Sequence, residues 1–239
     1  MALSFRSRKS TAIKVFDNGI RVFDRYLIDE QRMRYADVNL HEPVEERWII
    51  DLCRRATTDP FQFWDVGAGI GYYSILVACH LPSSIIEAFE PLEYHADAIE
   101  HHLALNNIPK EKIVIHRTAL GNITGNSKLI VQGFGTAIQT DDCASLSTIE
   151  VPIARIDDIL SGSSARVDLL KVDVQGLELD VIEGARHSSY KIGCWVVGTH
   201  GSEVHAACHA ALNALGYTVI FSEPRVDNQP DGLIVASRA

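Results

Sequence analysis

No segment of this sequence approaches the roughly 20 consecutive apolar residues that a membrane-spanning helix needs, so no membrane association is expected. The opening residues, MALSFRSRKST, hold no apolar core of the length a secretion signal requires, and no export is expected from them. Paired cysteines are also missing. Cys53, Cys79, Cys143, Cys194 and Cys208 are odd in number, scattered and never CxxC, a pattern of reduced cytoplasmic thiols rather than of a disulfide frame or a zinc site. Positive charge is in deficit, with 22 Lys and Arg against 31 Asp and Glu and a net charge of −9, which argues against general nucleic-acid binding. The deficit is uneven: residues 1–34 carry eight basic and four acidic side chains, net +4, so the remainder carries −13. No internal repeat or low-complexity segment is found, and oligomeric state has no handle in the sequence.

What is present is a chain of 239 residues, 46% apolar, of a length that suits one α/β domain. Ile13–Phe16 and Ile20–Phe23 flank Asn18-Gly19, the strongest short-range hairpin signal. A helix is expected from Pro43, with Val44, Trp48 and Leu52 on one stripe. From residue 62 strands and helices alternate. Strands are expected at 63–66, 85–89, 113–116, 167–172, 194–197, 217–221 and 233–236, with helices at 72–80, around Leu92 to Leu103, at 177–185 and at 203–215. Such alternation predicts a Rossmann-like α/β fold, a mostly parallel central sheet with helices on both faces. Residues 121–155 break the rhythm and read as an antiparallel β-excursion between the third and fourth strands, its two apolar runs separated by Gly133-Phe134-Gly135 and Thr140 to Ser147, and the whole segment is expected to be a mobile, substrate-facing loop.

The first strand runs into Asp65-Val66-Gly67-Ala68-Gly69-Ile70-Gly71. A strand, a glycine turn and a helix start make a cofactor site, because free N–H groups face the crevice. Dinucleotide binding needs G-x-G-x-x-G, but Tyr72 occupies the third glycine position and the spacing is D-x-G-x-G-x-G. Asp65 would repel a pyrophosphate and favour a ligand with a cationic amine and no phosphates, a description S-adenosylmethionine fits. Glu90, 23 residues after Gly67 at the end of the second strand, can accept from both ribose hydroxyls.

Phe63 to Leu76, Glu87 to Pro91, Thr118 to Gly121, Arg155 to Leu160 and above all Asp168 to Ala185 (DLLKVDVQGLELDVIEGA) together resemble the FkbM family of class I methyltransferases. The resemblance implies a Rossmann-like methyltransferase fold, S-adenosyl-L-methionine as donor, and O-methylation of a small molecule or sugar. The chain departs from the family pattern at Gln175, commonly Glu, and at Thr199-His200, where a Glu is frequent. Gly67, Ala68 and Gly69 are expected beside the methionine part of the cofactor, Asp65 toward its ammonium directly or through water, and Glu90 on the ribose. Thr118, Ala119 and Leu120, taken to end the third strand, are expected to bracket the adenine. Asp173, ending the fourth strand, lies nearest the departing methyl. Asp173 and His200 are the candidate general bases, the histidine being poised near neutral pH. Glu178, at a helix start, is expected to serve free N–H groups.

No metal is expected. His205 and His209 lie one helical turn apart with His200 and Glu203 nearby, but the stripe Val204, Cys208, Ala211 and Leu215 explains that helix as amphipathic. Asp141-Asp142 and Asp157-Asp158 read as loop and helix-start acids. Asp173-Val174-Gln175-Gly176 is not the Asp-Pro-Pro-Tyr-like motif of base amino-group methylation, and no Pro is followed by Cys as in cytosine C5 methylation. Residues 1–60 are expected to form a hairpin and helix extension able to cap the acceptor pocket through Arg25, Arg32, Arg34 and Tyr35, and residues 61–239 the methyltransferase domain. N-methylation of a peptide or amine, a non-catalytic cofactor-binding module and a hydride-transferring oxidoreductase remain as alternatives.

Overall fold

The computed structural model describes residues 11–132, 135–138 and 148–238. Five parallel strands form the centre of the main sheet: β3 (Gln62–Val66), β4 (Ile85–Phe89), β5 (Ile113–His116), β10 (Val167–Val172) and β11 (Ile192–Thr199). β13 (Gly232–Ser237) pairs antiparallel with β11, β12 (Thr218–Glu223) closes that edge, and the spatial order is β12-β13-β11-β10-β3-β4-β5. The chain starts this sheet in the middle, runs out to β5, then returns across β3 to β10. That reversal opens a crevice at the carboxyl ends of β3 and β10, where ligands bind in sheets of this kind. The Rossmann-like expectation holds, and each expected main-sheet strand is present.

The strands are apolar on both faces because helices cover both. On one face Phe63, Leu169, Val196 and Val235 pack under α2 (Pro43–Arg54), α3 (Tyr72–His80) and α4 (Glu93–Leu105). On the other, Trp64, Val66, Leu170 and Val172 pack with α5 (Ile156–Leu160), α6 (Glu178–Glu183) and α7 (Ser202–Ala214). α6 is shorter than the 177–185 expected, and just past its end Gly184 sits against the Gly121 carbonyl oxygen, 2.0 Å from where its Cβ would lie.

The amino-terminal residues join the first of these cores. β1 (Ile13–Val15) and β2 (Arg21–Phe23) form the expected hairpin, with Gly19 at φ +85° in its turn. Phe16, Ile20, Val22, Tyr26 and Leu27 are buried with the sheet residues. Between the hairpin and α2 lies a helix the sequence does not announce, α1 (Asp29–Asp37, DEQRMRYAD); it buries only Tyr35 and so carries no apolar stripe to read. His102 of α4 joins this extension to the glycine loop. Its Nε2 accepts from the Phe23 N–H at 3.0 Å, which leaves Nδ1–H to donate to the Ile70 carbonyl at 2.9 Å.

The excursion is a second sheet ordered β6-β9-β7-β8, formed by β6 (Ala119–Leu120), β7 (Gly125–Gln132), β8 (Gly135–Ile138) and β9 (Thr148–Ala154). β7 pairs antiparallel with both β8 and β9, as expected, while β6 runs parallel to β9. Of this segment, residues 133–134 and 139–147, with Asp141-Asp142 among them, lie outside the described residues.

Candidate active site

Strand pleating decides which side chains meet in the crevice. Asp65 and Lys171 are register partners on β3 and β10, so they project to the same face, that of α2 and α3. Past them both strands end in the turns that build the site. Gly67 has φ +74°, and a Cβ there would lie 1.9 Å from the Asp173 carbonyl oxygen, so only glycine lets the two strand ends touch. Gly69, at φ +54°, faces open space with nothing within 4 Å of its Cβ position. The Gly67 and Ala68 N–H groups donate to the Phe89 carbonyl at 2.9 and 3.1 Å. Glu90 braces the turn: its Oε2 accepts from Gly69 N–H at 2.8 Å, and its Oε1 accepts from Leu92 N–H at 2.9 Å and lies 3.5 Å from His95 Nδ1.

Beside this turn lies a buried polar cluster. Lys171, 2% exposed, has its Nζ 3.4 Å from Asp173 Oδ2, 3.8 Å from Glu45 Oε1 and 4.6 Å from the centroid of the Tyr73 ring. Burial alone would lower the Lys171 pKa, but Asp173, Glu45, Asp65 and Glu42 outweigh it and hold the ammonium charged. Burial alone would raise Asp173, but Lys171, His200 and His41 bring it below the usual carboxylate range. Glu45, buried with only that long ion pair, is pushed well up by burial. His200 Nδ1 donates to Glu178 Oε1 at 2.8 Å, while its Nε2 lies 3.3 Å from Asp231 Oδ1 and 3.7 Å from Asp173 Oδ1. Desolvation opposes its charged form, yet Glu178, Asp173 and Asp231 raise His200 to about 9. Asp231 is raised to about 7 by burial, with Asp173 and Glu42 adding to it and His200 opposing. The crevice thus joins a glycine turn with open space above Gly69 to a buried cluster of charged side chains.

A family model for the methyltransferase FkbM domain matches residues 65–219. The chain belongs to this family. Methyltransferase sdnD of Sordaria araneosa is 25% identical over 202 residues, 70% of this chain and 78% of that protein. Methyltransferase 1 of Beauveria bassiana (strain ARSEF 2860) is 26% identical over 167 residues, 60% of this chain and 66% of its own length. Magnesium protoporphyrin IX methyltransferase (ChlM) from Synechocystis PCC 6803, solved with bound SAM, aligns with TM-score 0.53 at 10% identity over 88% of this chain and 90% of that one. The delta-N METTL16 MTase domain aligns with TM-score 0.52 at 12% identity over 87% and 93%. The FkbM chain is therefore a methyltransferase with the class I fold.

Within this FkbM domain the structure brings Gly67, Ala68, Gly69, Glu90, Asp173 and His200 around one crevice, as their motifs suggest. Three assignments change. Asp65 is fully buried, and its Oδ2 accepts from Ser74 N–H at 3.0 Å and Ser74 Oγ–H at 2.7 Å, so it secures the first turn of α3 and makes no direct approach to a ligand ammonium. Thr118 to Leu120 do not end the third strand: β5 stops at His116, Ala119-Leu120 form β6, and Leu120 packs in the core with Trp64 and Phe89, while Thr118 and Ala119 stay half-buried. His200 is not poised near neutrality, because three carboxylates hold its proton. Glu178 does serve N–H groups, accepting from Gly176 at 2.9 Å and Val174 at 3.3 Å. His205 is spent between Thr199 Oγ1 and Ser222 Oγ, at 2.8 and 2.9 Å, and does not converge with His200.

Of the extension residues, Arg32 is bound to Asp24 and Asp29, and Arg25 stacks on Phe23 and Tyr26. Arg34 and Tyr35 lie by the cluster, the first 3.9 Å from Glu42 Oε1 and the second hydrogen-bonded to His41 Nδ1. Lys171, Glu45, His41 and Asp231 were not singled out beforehand. Lysine inside the apolar strand Val-Asp-Leu-Leu-Lys-Val is a signal that could have found the first; the others meet the site only through tertiary packing.

Proposed function

We propose that this chain transfers a methyl group from S-adenosyl-L-methionine to a hydroxyl of a small molecule or sugar. The observation that carries the reading is the junction of the open Gly69 turn with Asp173, through the Gly67 contact that nothing larger than glycine permits. The residues present suit the donor. The Gly67 to Gly69 turn, whose N–H groups serve Phe89 and Glu90, leaves room above Gly69 for its methionine part, and the remaining lone pair of Glu90 Oε2 suits a ribose hydroxyl. Bound there, the donor supplies an electrophilic methyl on a sulfonium, whose leaving group is a neutral thioether.

The chain's own work is then alignment, exclusion of water and management of one proton. Asp173, beside the turn, accepts from the acceptor hydroxyl and orients it, while Lys171 holds that carboxylate in place from beneath. His200, fixed by Glu178, borders the same space. Residues 1–60 act as the cap of this pocket, with Glu45 and Glu42 as its inward-facing groups, and residues 61–239 supply the methyltransferase domain. A buried, charge-lined pocket supports a polar acceptor over a flat apolar one.

Isothermal calorimetry with S-adenosyl-L-methionine tests the donor assignment, and no heat at millimolar donor refutes it. Mass spectrometry across alcohols, sugars, amines and peptides tests the acceptor. A gain of about 14 Da on hydroxyl compounds is expected, and methylation confined to amines or peptides overturns the O-methylation reading.

A further inference from the structure

We propose that His200 donates a hydrogen bond to the oxygen being methylated, and that this donor makes the site select a hydroxyl over an amine. The inference deepens the methyltransferase reading and rests on it for the presence of an acceptor at Asp173.

Asp173 and His200 directly follow β10 and β11, which pair in parallel, so their side chains meet at one end of the sheet. Asp173 Oδ1 and His200 Nε2 lie 3.7 Å apart, and each is a buried atom without a hydrogen-bond partner. The nitrogen is a donor. Nδ1–H is committed to Glu178 Oε1 at 2.8 Å, and Nε2 faces Asp231 Oδ1 at 3.3 Å as well as Asp173, so three carboxylates surround one ring and it carries both protons. Burial opposes that charge, yet Glu178, Asp173 and Asp231 together raise the ring to about 9. Those two Nε2 contacts hold the charge in place without forming a hydrogen bond, so the proton on Nε2 keeps its bonding capacity. Lys171 takes the Asp173 Oδ2 side at 3.4 Å and leaves Oδ1 to a ligand.

An unpaired donor beside an unpaired acceptor is matched by a group that offers both functions, and a hydroxyl is such a group. Its oxygen, seated over the pair ~2.8 Å from each atom, donates to Asp173 Oδ1 and accepts from His200 Nε2–H through one lone pair. The second lone pair remains for the methyl. In the transfer that lone pair forms the C–O bond, the methyl–sulfur bond breaks with its electrons left on sulfur, and the hydroxyl proton passes to Asp173. His200 keeps both of its own protons and steadies the negative charge that grows on the oxygen. A neutral amine has a single lone pair, so accepting from His200 would take the electrons the transfer needs. An ammonium has none, and sets N–H against N–H beside a like charge.

His200→Asn and His200→Gln, in the full chain, are the variants that test it. Asn keeps an amide where Nδ1 stood and removes the donor at Nε2, whereas Gln restores an N–H near the Nε2 position. Nitrogen-15 NMR of the imidazoles needs no acceptor: the signals lost in His200→Asn should show both nitrogens protonated at pH 7.5, and an unprotonated Nε2 overturns the proposal. The hydroxyl compound methylated in the mass-spectrometric panel is then set against its analogue with an amino group in place of that hydroxyl. The wild-type ratio of kcat/KM values should favour the hydroxyl at least about 30-fold and should fall about tenfold or more in His200→Asn, with His200→Gln between the two. A merely structural loss lowers both rates together, so a ratio that His200→Asn leaves unchanged overturns the proposal even where activity drops, as does a panel in which only amines are methylated. Calorimetry with S-adenosyl-L-methionine separates the two readings: donor binding with an unchanged ratio sinks the role of His200 alone, and absent donor binding sinks the methyltransferase reading and this one with it.

Discussion

Replacing His102 should destabilise the protein at neutral pH and cost progressively less as the solution is acidified. The imidazole is completely buried between two backbone groups, accepting from Phe23 N–H and donating to the Ile70 carbonyl. Burial lowers its pKa to about 4, against 6.5 for the exposed group, with the Ile70 hydrogen bond opposing only in part. A second proton would turn Nε2 into a donor facing a donor. Below pH 6.5 the unfolded chain therefore takes up a proton that the native state refuses until about pH 4, and the stability held above that window is lost as pH falls through it. The full gap amounts to roughly 3 kcal/mol, and by pH 5 about 2 kcal/mol of it is gone. His102→Phe leaves the Phe23 N–H and the Ile70 carbonyl unpaired, a loss of about 2–4 kcal/mol at pH 7.5. Urea unfolding of both proteins at pH 7.5 and pH 5 is the assay. The difference between them should shrink by about 2 kcal/mol at the lower pH, and a difference that does not change with pH would refute the reasoning. Because Ile70 belongs to the glycine turn, the variant should also bind the donor more weakly.

Four further outcomes follow from the crevice. Gly67→Ala, whose new methyl would sit 1.9 Å from the Asp173 carbonyl, should cost about 3 kcal/mol or more in thermal or urea unfolding. Gly69→Ala, with nothing within 4 Å, should lose only ~1 kcal/mol of stability, yet bind S-adenosyl-L-methionine at least tenfold more weakly by calorimetry. Glu90→Ala should weaken the same binding by on the order of 1–3 kcal/mol, and unchanged affinity would remove Glu90 from the ribose. Lys171→Met removes the counter-ion of a buried carboxylate and should lower stability by about 3–5 kcal/mol in urea unfolding.

Strand positions were legible because apolar runs of five or six residues, bounded by turns, leave few alternatives; the glycine turn was legible because its residues are contiguous. What was hidden depends on partners distant in sequence. Glu45 reads as one acid of a helix first turn until α2 is laid against β11 and its carboxylate reaches Lys171, 126 positions further along the chain. Leu120 looks like a strand end until β9 pairs with β6 and turns it inward. The bias that Asp65 was expected to exert on a ligand was inferred from its charge alone, and the Ser74 hydroxyl that absorbs it lies a helical turn beyond the motif. His200 was read with an ordinary imidazole's proton affinity because Glu178 and Asp231 are 22 residues before it and 31 after it.

The packing of the amino-terminal segment sets the limits within which this enzyme can be cut and recombined. The family-model match begins at residue 65, but the core begins at Phe16, and the hairpin turn is bolted to α2 and α3 where Asn18 donates to Glu46 and to Tyr72. A fragment trimmed to the recognisable motifs would bare the sheet face beneath α2 and strip Lys171 of Glu45. The segment up to residue 60 is instead the natural unit to exchange between relatives, since Glu45 reaches Lys171 from it while the glycine turn stays behind.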